Sequence, residues 1–393
     1  MQNQNSLKLR AGKYVVQAGG YQAFYPNALP PDPEIKIDHK LADLLSEANR
    51  ALGRLDGSTQ ILPNPDIFVA MYVRKEAIIS SQIEGTQASL EDVLAYEAIS
   101  ERRRLSKTVM EVVNHINAMN RGMELLESLP IGVELLTELH AILLQGVRGG
   151  ASLPGELRKI QNWIGPPGSD FFTAIFVPPP PTEVNRLMSD LEVYTSDITT
   201  IPILIKAGLI HAQFETIHPF LDGNGRLGRL LVTLYLCKRQ VIAHPLLYLS
   251  AYYKQHRAEY YDRLQRVRDL GDWEGWLNFF LRGIWEVSEE AFATAQRIIG
   301  MREEHRQLVL QKLSSATKCL ILLDRLFEMP MTDIPSVAER LDISYPAASK
   351  IVSDLSKNGL LEEITGQKRN RLFVYEPYLA ILRKGTEPIG TPP

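Results

Sequence analysis

A chain of 393 residues, 45% hydrophobic and 23% charged, is long enough for one large core and one or two smaller ones, because single cores stop growing near about 250 to 300 residues. Its 43 basic and 46 acidic residues leave a formal net charge of -3, which argues against a protein that holds nucleic acid or an anionic membrane through its overall charge. The N-terminus lacks the basic-then-apolar order of an export signal, and no stretch approaches about 18 uncharged apolar residues. The expected location is therefore the cytoplasm, with Cys237 and Cys319 as buried free thiols.

Residues 1 to 35 are rich in Gly, Pro and aromatics and end in Leu-Pro-Pro-Asp-Pro. Such a segment cannot hold a long helix and is expected to lie as an extended arm over the body. Leu41, Leu44, Leu45 and Ala48 recur at helical spacing and predict a first helix from Asp38 to about Leu55. Pro63 and Pro65 precede a second, from Asp66 to about Ile83, with Gly85 just beyond it. Ser89-Leu-Glu-Asp92 has the form of a capped start for a third, ending near Ser100. Lys107 to Leu144 is strongly helical, with a break near Leu129-Pro130-Ile-Gly132.

Residues 147 to 181 change character. Gly149, Gly150, Pro154, Gly155, Gly165, Pro166, Pro167, Gly168 and the run Pro178 to Pro181 leave room only for loops or short strands. Phe171 to Val177 is the best strand in the chain, so a hairpin or flap beside a helical body is expected. Helices resume near Glu183 and continue to about Ile298. From about Ser314 the order is helix (Ala316 to Phe327), short helix (Ile334 to Leu341), helix (Ser344 to Asn358), then extended stretches Leu361 to Ile364 and Arg371 to Tyr375. That is the order of a winged helix-turn-helix. The third helix carries Lys350 and Lys357 opposed by Asp354, and the loop Gln367 to Arg371 is basic, which suits DNA backbone or a protein interface.

The segment from His218 to Arg229 gathers an imidazole, a carboxylate, a glycine-rich turn and two guanidinium groups within twelve residues. Gly223, Gly225 and Gly228 satisfy G-x-G-x-x-G, but a dinucleotide fingerprint needs a strand before it. Here Ile203, Ala207, Ile210, Phe214 and Ile217 paint an apolar stripe of helical period, and Leu227, Leu230, Leu231 and Leu234 resume it afterwards. The reading is helix, anion-binding loop, helix, with backbone N–H groups and the second helix's positive end facing phosphate oxygens. Arg226 and Arg229, three apart, would share a face and clamp two phosphates. Asp222 suits Mg²⁺ rather than an anion, and His218 is the group that can take a proton near pH 7. Phe220 is expected in the core. His211, Glu215 and His218 form a weaker candidate metal set, because H-x-x-x-E-x-x-H lacks a zincin's spacing.

These residues carry a resemblance: His218 to Arg229 reads H-x-F-x-(D/E)-G-N-G-R-x-x-R, so the chain is identified as a member of the Fic family. The likeness extends through Leu153 to Arg158, Gln161 to Gly165 and Ala251 to Tyr261, covering roughly residues 35 to 300. It implies a mainly α, Fic-type helical core with a short β-hairpin flap, beside the small α+β winged module. The implied division is an N-terminal arm and inhibitory region (1–110), a catalytic core (111–300) and a winged-helix domain (311–386). The implied activity is transfer of AMP from ATP to Tyr, Thr or Ser hydroxyls of target proteins or of the chain itself, releasing pyrophosphate.

By the same resemblance His218 is the base, Asp222 the Mg²⁺ ligand, and Gly223, Asn224 and Gly225 the anion hole beside Gly228. Arg226 and Arg229 hold the β- and γ-phosphates, and Tyr260 lines the adenine pocket. Relatives place an asparagine near the position of Arg268. The flap residues Phe171, Phe172, Thr173, Ala174, Ile175, Phe176 and Val177 would hold the target as an added strand, and a homodimer is implied. Ser80-Ser-Gln-Ile-Glu84-Gly85 resembles the family's inhibitory (S/T)-x-x-x-E-(G/N). Ser80 and Glu84 face one way from a helix that Gly85 ends, so Glu84 could pair with Arg229 and keep the γ-phosphate from it. The rival readings are a nucleotide-sensing DNA-binding regulator, removal of AMP, or transfer of another nucleotidyl group.

Overall fold

In the computed structural model, described for residues 7–59, 65–98, 106–147, 153–198, 200–313, 315–367 and 370–387, the N-terminal arm is a hairpin instead of a single extended run. Strands β1 (Gly12–Val16) and β2 (Gln22–Pro26) pair antiparallel, Gly12 opposite Pro26 and Val16 opposite Gln22. Gly20, at φ +82°, supplies the left-handed residue of the reversal. Arg10 anchors the arm by donating to Gly271 O at 3.0 Å and pairing with Glu274. Pro63, Ser100, Gly149, Gly150, Ser314, Lys368 and Arg369, which bore on expected boundaries and on the basic loop, lie outside the described residues.

Helix α1 (His39–Thr59) begins where Asp38 Oδ1 accepts the Leu41 N–H at 2.9 Å. After α2 (Pro65–Ile83), the start of α3 (Leu90–Ala98) is a reciprocal capping box. Asp92 N donates to Ser89 Oγ at 3.1 Å and Ser89 N to Asp92 Oδ2 at 3.0 Å. Then follow α4 (Lys107–Leu125) and α5 (Val133–Leu143), parted by the expected break at Pro130, and α6 (Pro181–Ser196). Helices α7 (Ile203–Ile217) and α8 (Asn224–Lys238) flank the His218 loop, and α9 (Ser250–Gln255) and α10 (Arg257–Leu270) lie beyond. Every residue of α7 from Leu204 to Ile217 is buried, so its stripe is one part of an all-round core contact.

Helix α11 (Trp273–Lys312) is continuous over 40 residues and runs past its expected end near Ile298. Met301, Arg302, Glu303 and Glu304 follow Gly300, and such straight side chains keep a helix going. It packs along α1 and crosses α7. The crossing is close because a Cβ on Gly208 would lie 2.8 Å from Leu277, and Trp276 Nε1 donates to Gly208 O at 2.8 Å.

The C-terminal stretch contains α12 (Ala316–Glu328), β3 (Met331–Asp333), α13 (Ile334–Arg340), α14 (Tyr345–Lys357), β4 (Glu362–Glu363), β5 (Leu372–Val374) and α15 (Glu376–Arg383). The three strands form an antiparallel sheet in the order β3-β5-β4. Helix α15 and strand β3 are additions to the expected order. Helix α12 packs on α2 and β3 on α3. Gln82 Nε2, in the last turn of α2, donates to Thr386 O at 2.8 Å, and Lys254 Nζ donates to Gln82 Oε1 at 2.8 Å. Cys237 and Cys319 are free thiols, partly and fully buried. Among the described residues no helix is long and apolar enough to cross a membrane.

Candidate active site

Helix α7 ends because His218 takes the left-handed conformation, φ 50° and ψ 60°, while its N–H still donates to Phe214 O at 2.9 Å. That turn is held from outside by Arg158. Its Nε donates to His218 O at 2.9 Å, its Nη2 to Pro179 O at 2.6 Å, and its backbone N–H to Pro219 O at 2.9 Å. Asn162 Nδ2 donates to Phe220 O at 2.9 Å. Phe220 is fully buried, as expected, and stacks on His140 with ring centroids 3.8 Å apart. His140 Nδ1 accepts the Gly155 N–H at 2.9 Å, so its Nε2 carries the proton and donates to Asp222 O at 3.0 Å. One histidine thus ties the 155 segment to the loop.

Asn224 spends its side chain on the same loop. Its Oδ1 accepts the Phe220 N–H at 2.9 Å and its Nδ2 donates to Phe220 O at 2.8 Å. What it can still offer an anion is its backbone N–H, at the open first turn of α8 with those of Gly225 and Arg226. Gly223 takes φ +77° immediately before that turn, a conformation that a side chain would strain.

A cavity of about 250 Å³ opens over this turn, lined among others by Glu84, Glu215, His218, Asp222, Gly225, Arg229, Tyr260 and Tyr261. Burial, with the charges of Arg268 and Arg158, pushes the His218 imidazole down to about 3, so it is neutral near pH 7 and open to a proton. Asp222 is exposed on the loop, with Oδ1 accepting the Gly223 N–H at 2.6 Å. No cluster of three His, Cys, Asp or Glu side chains among the described residues would hold a metal by itself. A lone carboxylate beside an open helix N-terminus still fits Mg²⁺, which keeps waters and takes further ligands from phosphates where a substrate supplies them.

Arg226 departs from expectation. It is buried but does not line the cavity, and its charge acts on His115 and His140 from α4 and α5. Residues three apart stand about 60° apart around a helix, enough to send Arg226 to one side and Arg229 to the other. Of the two arginines expected to share a clamp, only Arg229 lines the cavity. Gly228 serves space: a Cβ there would sit 2.4 Å from Glu215 Oε1.

Tyr260 lines the cavity from below, fully buried and stacked on Tyr253 at 4.3 Å. His211 Nδ1 lies 2.9 Å from Gly228 O and must donate, so its Nε2 accepts the Tyr260 hydroxyl at 2.9 Å. With both nitrogens committed, His211 is no metal ligand. Tyr261 was missed by sequence reasoning. It is 40% exposed and lines the same cavity, and only its place after Tyr260 could have signalled it. Arg268 is structural: its guanidinium lies 3.7 Å over the Phe176 ring and donates to Thr216 Oγ1 and Glu215 O at 3.3 and 3.2 Å.

The expected strand from Phe171 to Val177 is not formed. A turn closes around Asp170, whose Oδ1 accepts the N–H groups of Phe172 and Thr173, each at 3.0 Å. Pairing survives only as a bridge between Ile164 and Phe176, with Val177 O accepting the Phe24 N–H of β2 at 3.0 Å. The local turn chemistry of Asp170 outcompetes strand propensity there. Phe172 and Ile175 stay 68% and 64% exposed.

Ser80 and Glu84 do face one way. Helix α2 ends at Ile83, and Gly85, at φ +99°, turns the chain away. Arg229 donates from Nε to Ser80 Oγ at 2.9 Å, and from Nη2 to Ser80 O at 3.0 Å and Glu84 Oε1 at 2.7 Å. The arginine side chain is 1% exposed and that of Glu84 38%. Gly225 makes room for the pair, since a Cβ there would lie 2.4 Å from Glu84 Oε1.

The family model for the Fic/DOC N-terminal region matches residues 42–124, and the Fic/DOC family model matches residues 130–236. The chain is 26% identical over 177 residues to a probable protein adenylyltransferase of Aquifex aeolicus, covering 44% of this chain and 51% of that one. It is 26% identical over 269 residues to protein adenylyltransferase fic-1 of Caenorhabditis briggsae, covering 67% of this chain and 48% of the other. The chain thus spans about half the length of these curated relatives. In fold it is similar to a Fic family protein from Desulfovibrio desulfuricans G20, with a TM-score of 0.55, 21% identity, and coverage of 87% of this chain and 97% of that one.

Proposed function

The chain belongs to the Fic/DOC family through both of these regions, and from that premise we propose that it is a protein adenylyltransferase with a built-in brake. The target hydroxyl gives its proton to His218 as its oxygen bonds the α-phosphorus of ATP. The bond from that phosphorus to the bridging oxygen breaks, and pyrophosphate leaves. A neutral imidazole is what a general base must be at the moment of attack, and burial keeps His218 in that form near pH 7.

The open N–H groups of the α8 start cradle the phosphates and Arg229 takes the terminal one. Asp222 would hold Mg²⁺, which when bound neutralises phosphate charge and orients the chain of phosphates. Tyr260 forms the floor of the base pocket and Tyr261, with its exposed ring, stacks on the adenine. The target segment lies along the flap, against Phe172 and Ile175.

Glu84 occupies the guanidinium that the terminal phosphate needs, so ATP meets an acceptor already in place and its α-phosphorus is held out of line. The single observation that carries the reading is the Arg229 to Glu84 bond at 2.7 Å inside the cavity that His218 lines. Incubation of wild type and Glu84→Gly with Mg²⁺ and ATP, followed by intact-mass measurement, tests it. The variant gains adenylyl groups on itself or an added target, and His218→Ala abolishes the gain. No gain in Glu84→Gly with any nucleotide moves the site to a sensing role. Removal of AMP by wild type would instead favour Glu84 as the group that positions water.

We also propose that residues 311–386 form a winged-helix module. The helix order, the β3-β5-β4 sheet and the exposed Lys350 and Lys357 of α14 support this. Cytoplasmic residence, a homodimer and contact with DNA or protein through this module belong to the same reading. Light scattering tests the dimer and a mobility shift with duplex DNA tests the module.

A further inference from the structure

A general base needs more than a low pKa, because an imidazole has two nitrogens and only the bare one can take a proton. Some acceptor must hold the proton on the other. His218 Nδ1 is buried and has no hydrogen-bond partner among the described residues. Glu215, one turn earlier on α7, places Oε2 4.0 Å from that nitrogen, and its own Oε1 is likewise buried without a partner. Both groups line the cavity. The space for this carboxyl is provided by Gly228, where any side chain would collide with Oε1. Two unpaired, complementary groups thus face each other less than 1 Å beyond bonding range, and catalytic hydrogen bonds are often this loose before substrate arrives.

We propose, on the adenylyl-transfer reading, that Glu215 is the positioning residue of His218: its carboxylate accepts the Nδ1 proton and so keeps Nε2 bare towards the target hydroxyl. The bond resembles the carboxylate-to-imidazole contact that sets the tautomer in hydrolase triads, with Glu215 in the last turn of the helix that His218 caps. The rival acceptor is the backbone carbonyl of Glu215, which draws the His218 pKa up but is already engaged by Arg268 Nη2 at 3.2 Å.

The surroundings make the carboxyl responsive to the brake. Burial pushes Glu215 up to about 7, Arg229 and Arg268 favour its anion, and Glu84 opposes it. Tyr253, Tyr260 and Tyr261 face it from α9 and α10, His211 precedes it by one turn on α7, and Asp222 lines the same cavity. The competent form has Glu215 ionised and His218 neutral, so the rate rises as pH passes upward through the Glu215 pKa. Removing Glu84 takes away the opposing charge and moves that rise to lower pH.

The test uses Glu215→Gln and Glu215→Asp in the Glu84→Gly full-length chain. The expected result for Glu215→Gln is a kcat at least about tenfold lower, part of the roughly 10²- to 10⁴-fold that a general base supplies. KM for ATP stays within twofold and the rise near neutral pH is lost. Glu215→Asp, which keeps the acid but shortens its reach, lowers kcat while retaining the rise, and decides the matter if the Gln variant does not fold. Imidazole ¹⁵N spectra of histidine-labelled protein give a readout independent of turnover. His218 shows an Nδ1–H tautomer that becomes mixed in Glu215→Gln. An unchanged kcat, pH profile and tautomer would assign the role to the backbone carbonyl and overturn the proposal. Inactivity of Glu84→Gly with Glu215 intact would instead remove the adenylyl-transfer reading, leaving the tautomer experiment to judge the pair.

Discussion

Replacing Glu84 by glycine isolates the brake. Arg229 has three acceptors in the braked state, one from Glu84 and two from Ser80, so the substitution removes one and leaves the buried guanidinium bonded. A hydrogen bond to a charged group contributes about 1.5 to 3 kcal/mol. With the Glu84 side chain 38% exposed, solvent screening puts this one at the lower end, about 1.5 kcal/mol. At 1.36 kcal/mol per factor of ten, the open arrangement gains roughly tenfold in population, and relief of repulsion against the terminal phosphate adds to it. The initial rate of labelled-AMP incorporation in Glu84→Gly is therefore expected to exceed wild type at least about tenfold. Because the Glu84 end of the pair is open to solvent, about 0.5 M salt should partly activate wild type and leave the variant unmoved. Equal rates for the two proteins, or label that persists in the Glu84→Gly, His218→Ala double variant, would refute the reasoning.

Asn224→Ala removes two bonds to the buried Phe220 backbone, leaving its N–H unpaired while Asn162 still bonds its carbonyl, and should cost about 1 to 3 kcal/mol, visible as a lower melting temperature and weaker ATP binding by calorimetry. Tyr261→Ala should raise KM for ATP severalfold and leave kcat nearly unchanged; a fall in kcat alone would deny the stacking role. Stability should drop on mild acidification. His115, His211 and His218 are held near 3 and His140 near 4 by burial, whereas burial raises Glu76 and Glu215 to about 7. Between about pH 4.5 and 6.5 the unfolded chain binds four imidazole protons that the fold refuses, and the fold binds two carboxyl protons that the unfolded chain does not. The net two protons favour unfolding by at most about 3 kcal/mol per pH unit. Urea midpoints at pH 5.5 and 7.0 measure this, and a higher midpoint at pH 5.5 would contradict the assignment.

The helices around the site were legible because their signals are local. The apolar period of α7, the Ser89 capping box and the Pro130 break each act within a few residues, so neighbours in sequence are enough to read them. The hairpin of the arm was not, since β1 and β2 are five residues each and Phe24 is buried partly by Phe176, a residue 152 positions away. The flap itself reads as a strand from its β-branched and aromatic content, yet Asp170 offers its backbone closer partners.

By itself, the order of residues from His218 to Arg229 determined that this chain carries an imidazole, a carboxylate and a glycine-rich turn between two helices, and the spacing of Ser80 and Glu84 determined that both could meet one partner. Which partner, and which arginine, was decided in three dimensions. Arg226 and Arg229 are equivalent as letters, but α2 packs on only one side of α8, so one guanidinium meets Glu84 and the other turns away. The uses of His140, Arg158 and Glu215 were settled the same way. Hydrogen bonding depends on distances of a few tenths of an ångström between segments as far apart as the 149 residues from Ser80 to Arg229, and only the packed core sets those.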